Sequence, residues 1–260
     1  MEVDNFLKLA FKVGEEAGRN ISDSLQSFHG SDPIWTSADQ YKTEVDDAND
    51  RLARKAVREV FPDHNIWSEE GEFLNQKSDF TWYVDGVDGT YNLIWLFADH
   101  VSFCMSLYYQ GRPIVGITNA ALRREFYYAS AERGAFLNEK SIHTSDVTDL
   151  RKISICANSG KHDTDRLPPI IDKLTRAGVP GFLGTNCASV PLCQVATGVI
   201  PAYIGTSLEK EDMAAGAIIN LEAGNRVTNL QGEEWSIERD EGILVANPDL
   251  HPRILEVILG

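Results

Sequence analysis

The chain has 260 residues, of which 43% are hydrophobic and 24% charged, and its formal net charge is −15. That length suits one large domain or two intimately packed halves. The acidity argues against a nucleic-acid partner, whose phosphate backbone calls for a basic surface, and the apolar runs are too short to span a bilayer. A small phosphate ester stays compatible, because acids that hold divalent cations can invert the local charge. Glu2 and Asp4 precede any apolar stretch, which does not read as a secretory signal, so a cytoplasmic protein is expected. Cys104, Cys156, Cys187 and Cys193 sit among apolar or small residues without a Cys-x-x-Cys pair. They are expected as buried, reduced thiols and not as zinc ligands.

In chain order, Phe6, Ala10, Val13, Ala17, Ile21, Leu25 and Phe28 recur every three or four residues, which predicts a helix over 3–28 with one buried face. Gly30, Asp32 and Pro33 break it. Val45, Ala48, Leu52, Ala56 and Val60 predict a second helix, ended by Pro62. Short strands are expected at 65–68 and 81–84, and longer ones at 101–109, 113–119 and 125–129, with a hairpin turn at Gln110-Gly111-Arg112. A further short strand and turn follow at 134–140. From Arg151 the pattern alternates: strand 153–157, a helix over 163–177 interrupted near Pro168-Pro169, strand 182–184, helix 190–197, strand 202–204, helix 213–223 closed by Gly224, strand 243–246 and helix 250–259. Helices, then a sheet, then alternating elements predict a layered α/β sandwich forming one unit over 1–260, with halves 1–150 and 151–260.

The densest chemistry lies in Trp82-Tyr83-Val84-Asp85-Gly86-Val87-Asp88-Gly89-Thr90. An apolar strand runs into two carboxylates three residues apart. Carboxylates so placed repel unless a cation lies between them, and oxygen ligands select Mg²⁺ or Ca²⁺. Gly89-Thr90 can open a helix whose N–H groups meet an anion. A surface Asp-Gly turn is the plain alternative. The spacing fails a calcium EF-hand loop, which would put Val84 at its first acidic position, and differs from the Asp-x-Asp of aspartyl-phosphate phosphatases. Glu69-Glu70 follows a strand, Thr43 and Asp46 begin a helix, and Asp212 starts another; surface charge and helix capping suffice for each alone.

Their order is more telling than any one of them. Thr-x-x-Asp, Glu-Glu, Asp-x-x-Asp-Gly-Thr, then Asp-x-Ala-Ala-Gly before a helix ending Glu-Ala-Gly resembles the inositol monophosphatase superfamily over nearly the whole chain. The resemblance implies an αβαβα fold and a Mg²⁺-dependent phosphatase of small phosphate monoesters, inhibited by Li⁺. Inositol monophosphate leads the substrates. Fructose 1,6-bisphosphate, a 3′(2′),5′-bisphosphate nucleotide and histidinol phosphate are the alternatives, and a catalytically inactive regulatory descendant is the alternative of another class. It implies two or three Mg²⁺ ions, with Mn²⁺ able to substitute, and a homodimer. One ion is implied at Glu69, Asp85 and the Val87 carbonyl, and a second at Asp85, Asp88 and Asp212. A third would draw on Glu69 with Glu70 nearby. Thr90, bonded to Asp46, orients and deprotonates the attacking water, with Glu69 beside it. Gly89, Thr90, Asp88 and Asp212 face the substrate.

The sequence departs from the family pattern in four places. Gly86 replaces the usual proline and is expected to loosen the turn without removing a ligand. Glu211 replaces the tryptophan before Asp212. Asn186-Cys187-Ala188-Ser189 stands for Gly-Ser-Ala-Ala, and Gly205 falls where inositol enzymes carry a glutamate that contacts sugar hydroxyls.

Overall fold

The computed structural model describes residues 2–27, 34–35, 41–95, 99–160 and 164–260. The elements run α1 (Glu2–Ser27), β1 (Ile34–Trp35), β2 (Tyr41–Lys42), α2 (Glu44–Val60), β3 (Asn65–Ser68), β4 (Phe80–Asp88), α3 (Thr90–Ile94), β5 (Ser102–Tyr109), β6 (Arg112–Ala120), β7 (Glu125–Ser130), β8 (Ala135–Leu137) and β9 (Lys140–Ile142). They continue β10 (Ser154–Ser159), α4 (Leu167–Arg176), β11 (Gly181–Leu183), α5 (Ser189–Ala196), β12 (Ala202–Thr206), α6 (Lys210–Glu222), β13 (Arg226–Thr228), β14 (Ile243–Ala246) and α7 (His251–Leu259).

Five layers result. The predicted face of α1, Phe6 through Ile21, is buried, and α1 and α2 cover one side of a seven-stranded sheet ordered β3-β4-β5-β6-β7-β8-β9. Phe28 lies outside the described residues. That sheet is antiparallel except for the β3–β4 pair. Helix α6 packs on its other side, and α5 and α6 also meet the second sheet, ordered β11-β10-β12-β14-β13. Helices α4 and α7 pack against each other and against that second sheet. Gly216 makes the middle layer thin: a Cβ there would lie 2.7 Å from Leu192 of α5. Among the described residues no helix is long and apolar enough to cross a membrane.

Several expectations change: β1, β2 and β9 are additional short strands, and α4 begins at Leu167 with Pro168 and Pro169 in its first turn instead of being broken by them. Strand β4 does not stop at Val84 but continues through Asp88, with its register against β5 shifting between Asp85 and Asp88. The irregularity spaces the two acids along one strand, and periodicity does not reveal it. Strand β13 was not foreseen. It has three residues, too few for an alternating pattern to register.

Candidate active site

Strand β4, the N-termini of α3, α5 and α6, the end of β10 and the turn after β3 converge on a cleft of about 500 Å³. Asp85, Asp88 and Asp212 present carboxylate oxygens within 4.8 Å of one another. Asp85 is buried, and one of its oxygens accepts the Val87 amide at 2.9 Å. Burial raises the Asp85 carboxyl well above its usual range, and the charges of Glu69, Asp88 and Asp212 add to this. Asp212 is likewise raised, by desolvation first and then by Asp88. A trio of acids held so close, two of them buried and Asp212 half-buried at the cleft, suits a cation, and its all-oxygen donor set matches a hard one.

Asp88 is the most tightly held. It accepts the Cys187 thiol at 3.1 Å, the amides of Ala188 and Ser189 at 3.0 and 2.6 Å, and the Ser189 hydroxyl. Ser189 in turn meets the Ser102 hydroxyl at 2.6 Å. The segment Cys187–Ser189 is itself fixed by buried Asn158, whose amide donates to the Cys187 carbonyl at 2.6 Å. Sequence reading assigned no role to Asn158 or Ser102. The available signal was a polar residue inside a buried strand, and that signal does not say what it binds.

Asp46 serves two roles. It closes the α2 capping box, accepting the Thr43 amide at 2.8 Å and the Thr43 hydroxyl. Its other oxygen accepts Thr90 Oγ1 at 2.8 Å. The Val87 carbonyl lies 2.9 Å from the same hydroxyl, so one proton faces two acceptors. Burial pushes the Asp46 carboxyl up to about 6. The capping reading and the catalytic reading therefore describe one geometry.

Gly89 takes a left-handed φ of 92°, and a Cβ there would meet the His100 carbonyl at 2.3 Å. Only glycine fits, and it starts α3 at Thr90 beside the acids. Gly86 has a different purpose from the one expected. A Cβ at 86 would lie 2.7 Å from the Asp46 carbonyl, and Asn49 donates to the Gly86 carbonyl at 2.9 Å. The glycine brings α2 against β4, and with it Asp46 against Thr90.

The turn after β3 places Glu69 at the cleft, exposed, its amide bonded to the Val84 carbonyl at 3.3 Å. Glu69 is not within the tight trio of carboxylates. Glu70 is brought to Lys42 instead, at 3.2 Å. Arg54 of α2 bonds Ser68 Oγ at 3.0 Å and the Glu72 carbonyl at 2.8 Å, bracketing both glutamates. The remaining wall is less polar: Trp67, Phe73 and Leu208 line it. Buried Glu211 accepts the Trp67 indole N–H at 2.8 Å. Leu208 takes the space beside Gly205, its Cδ1 2.4 Å from where a Cβ at 205 would stand.

The model of the inositol monophosphatase family matches residues 2–259. The chain belongs to the inositol monophosphatase family. Its members are phosphatase-type hydrolases. An inositol-1-monophosphatase of Bacillus subtilis is 27% identical, covering 99% of this chain and 97% of its own. A putative Nus factor SuhB of Neisseria meningitidis is 28% identical over 97% of each chain. Among solved structures, an inositol monophosphatase from Anabaena superposes with a TM-score of 0.87 at 24% identity, covering 100% of this chain and 97% of that one. The layered fold is the family's.

Proposed function

We propose that this chain is a Mg²⁺-dependent phosphomonoesterase that hydrolyses a small phosphate ester with an activated water. One observation carries the reading: three carboxylates within 4.8 Å share a cleft with Thr90, whose hydroxyl is bonded to Asp46 behind it. Asp85, Asp88 and Asp212, with Glu69 and the Val87 carbonyl, are the groups that would hold the cations. A divalent cation held by these residues would supply positive charge for the phosphate, a more acidic water and compensation for charge on the leaving oxygen. Thr90 and Asp46 provide the base: ionised Asp46 draws on the threonine proton, leaving the hydroxyl oxygen to accept one from water. The water oxygen bonds phosphorus as the alcohol oxygen departs, and that alcohol takes its proton from solvent. Amides of Gly89 and Thr90 receive phosphate oxygens. Asp88, braced by four donors, does not shift as charge develops.

Inositol monophosphate is the substrate that the resemblance and the names of relatives favour. Gly205 weighs against it, because no carboxylate stands there to receive sugar hydroxyls. A homodimer of single 260-residue units, each of two halves, in the cytoplasm, belongs to the same proposal. The names of the relatives called Nus factors favour a second reading, a regulatory descendant without turnover.

The test is turnover of a panel of phosphate monoesters before and after metal removal. Chelated protein is expected to be inactive and to recover with Mg²⁺, partly with Mn²⁺, and Li⁺ in the millimolar range is expected to inhibit. Full activity in stripped protein would sink the metal mechanism. No turnover on any ester would favour the regulatory reading.

A further inference from the structure

The acid trio, Thr90 and the Trp67–Phe73 wall line the same cleft, so the wall lies within reach of an ester's alcohol portion. The Trp67 and Phe73 rings give a polyol no hydroxyl partner, and the polar Glu209 and Asn186 stand elsewhere in the lining. Leu208 fills the space beside Gly205. Glu211, the acid nearest in sequence to Asp212, is committed to the Trp67 indole N–H. Phe73 offers 44% of its surface to solvent while lining the cleft.

Phe73 is also preorganised. Trp67 supports it, with ring centroids 5.4 Å apart at an interplanar angle of 50°. The residues either side are tied down: the Glu72 carbonyl by Arg54, and Leu74 by two backbone bonds to Ile66 at 2.9 and 3.0 Å. Trp67 is fixed at its N–H by Glu211, with the Lys210 ammonium 4.9 Å from its ring centroid. A rigid exposed ring held at a reaction cleft loses little freedom when another ring lies on it.

We propose that Phe73, braced by Trp67 and Glu211, is a shelf for a flat aromatic ring on the alcohol part of the ester, and that it selects such esters over polyol phosphates. This rests on the phosphatase reading above. The pairing explains why Trp67 and Glu211 occur together: the glutamate's function is to aim the indole.

The experiment measures kcat/KM with Mg²⁺ for adenosine 2′-phosphate and 2-phenylethyl phosphate against inositol 1-phosphate and glycerol 2-phosphate. Both aromatic esters are expected to lead by about tenfold, the ~1.4 kcal/mol of one ring contact. Phe73→Ala is expected to lower that preference about tenfold. The preference is a ratio within one preparation, so a partly unfolded variant does not alter it. Glu211→Leu is expected to lower it too, and Glu211→Gln, which keeps an acceptor for the indole, to restore it. A lead for the adenosine ester alone, erased by Phe73→Ala, supports the shelf and identifies its occupant as a nucleoside. Turnover of glycerol 2-phosphate with no aromatic preference, or a preference that Phe73→Ala leaves unchanged, overturns the shelf alone. No turnover on all four esters overturns the phosphatase reading and the shelf with it.

Discussion

The acid-lined part of the cleft and its apolar wall are built by different means. In the first, side chains are tethered to backbone: Asp88 by amides of Ala188 and Ser189, Asp85 by the Val87 amide, Asp46 by the Thr43 amide. In the second, side chains hold one another: Trp67 by Glu211, Phe73 by Trp67, and Leu208 against Gly205. Backbone tethers survive substitution of their neighbours, whereas side-chain partnerships change two residues at a time. The difference separates a part of the cleft set by the course of the backbone from a part whose shape a few side chains decide.

The comparison breaks most sharply at Asp46. Asp46→Asn keeps an acceptor for Thr90 and loses the base, so turnover should fall by roughly 10² to 10⁴. Burial holds the Asp46 carboxyl at about 6, and only its ionised form can take a proton. The wild-type rate should therefore rise as pH increases through about 6, and the variant should lack that limb. A rate flat from pH 5 to 8 would remove Asp46 from the base assignment.

Asp212→Asn comes next. As a cap, asparagine replaces aspartate at little cost; as a cation ligand it loses the charge, and kcat should drop on the order of 10². Stability separates the two effects. The native Asp85 and Asp212 carboxyls titrate above their unfolded values, so between those values the native state binds more protons than the unfolded one. Metal-free stability must then fall as pH rises from about 4. The variant removes one of these acids, and its metal-free Tm at pH 8 should match or exceed that of the wild type. Near-normal turnover would reduce Asp212 to a cap.

These two residues also mark how far the sequence could be read. Helix α1 follows from periodicity, because it buries one face in a regular pattern, and the strands 65–68 and 243–246 follow from short apolar runs that are buried almost throughout. Asp46, Asp85, Asp88 and Asp212 were legible only through their order along the chain, since each has an adequate local explanation. What could not be read was contact between distant segments. Nothing local tells that Trp67 meets Glu211, 144 positions away, or that the missing Cβ of Gly86 makes room for a helix carbonyl. The same holds for Arg54, which looks like an ordinary surface residue of α2 and yet ties Ser68, beside Glu69, to Glu72, beside Phe73.

Arg54 therefore touches both parts of the cleft. Arg54→Met removes two hydrogen bonds while keeping much of the stem. With the Glu69 turn loosened, the Mg²⁺ concentration for half-maximal activity should rise roughly tenfold, the usual scale for losing a partner that orients a ligand. The Mg²⁺-induced rise in Tm should require correspondingly more metal. Lys at 54 can restore one of the two bonds and should recover part of the shift. An unaltered Mg²⁺ dependence would confine Arg54 to the surface.

The smallest expected effect tests the wall from the opposite direction, by returning a glutamate to position 205. Gly205→Glu alone puts a Cβ 2.4 Å from Leu208 Cδ1 and 3.1 and 3.2 Å from Tyr203 and Ile243. Leu208 can swing its far end, but the ring and the β-branched chain have less room, so the variant should lose about 1–3 kcal/mol of stability. Adding Leu208→Ala removes the nearest of these contacts and opens a path from position 205 to the cleft. The double variant should then hydrolyse inositol 1-phosphate a few-fold better relative to glycerol 2-phosphate, because a carboxylate would again be present to accept sugar hydroxyls. The gain should be modest, since Trp67 and Phe73 still occupy their side of the cleft. If relief of the clash restores stability without moving that ratio, then Leu208 is not what keeps the polyol out, and the aromatic pair sets the preference unaided.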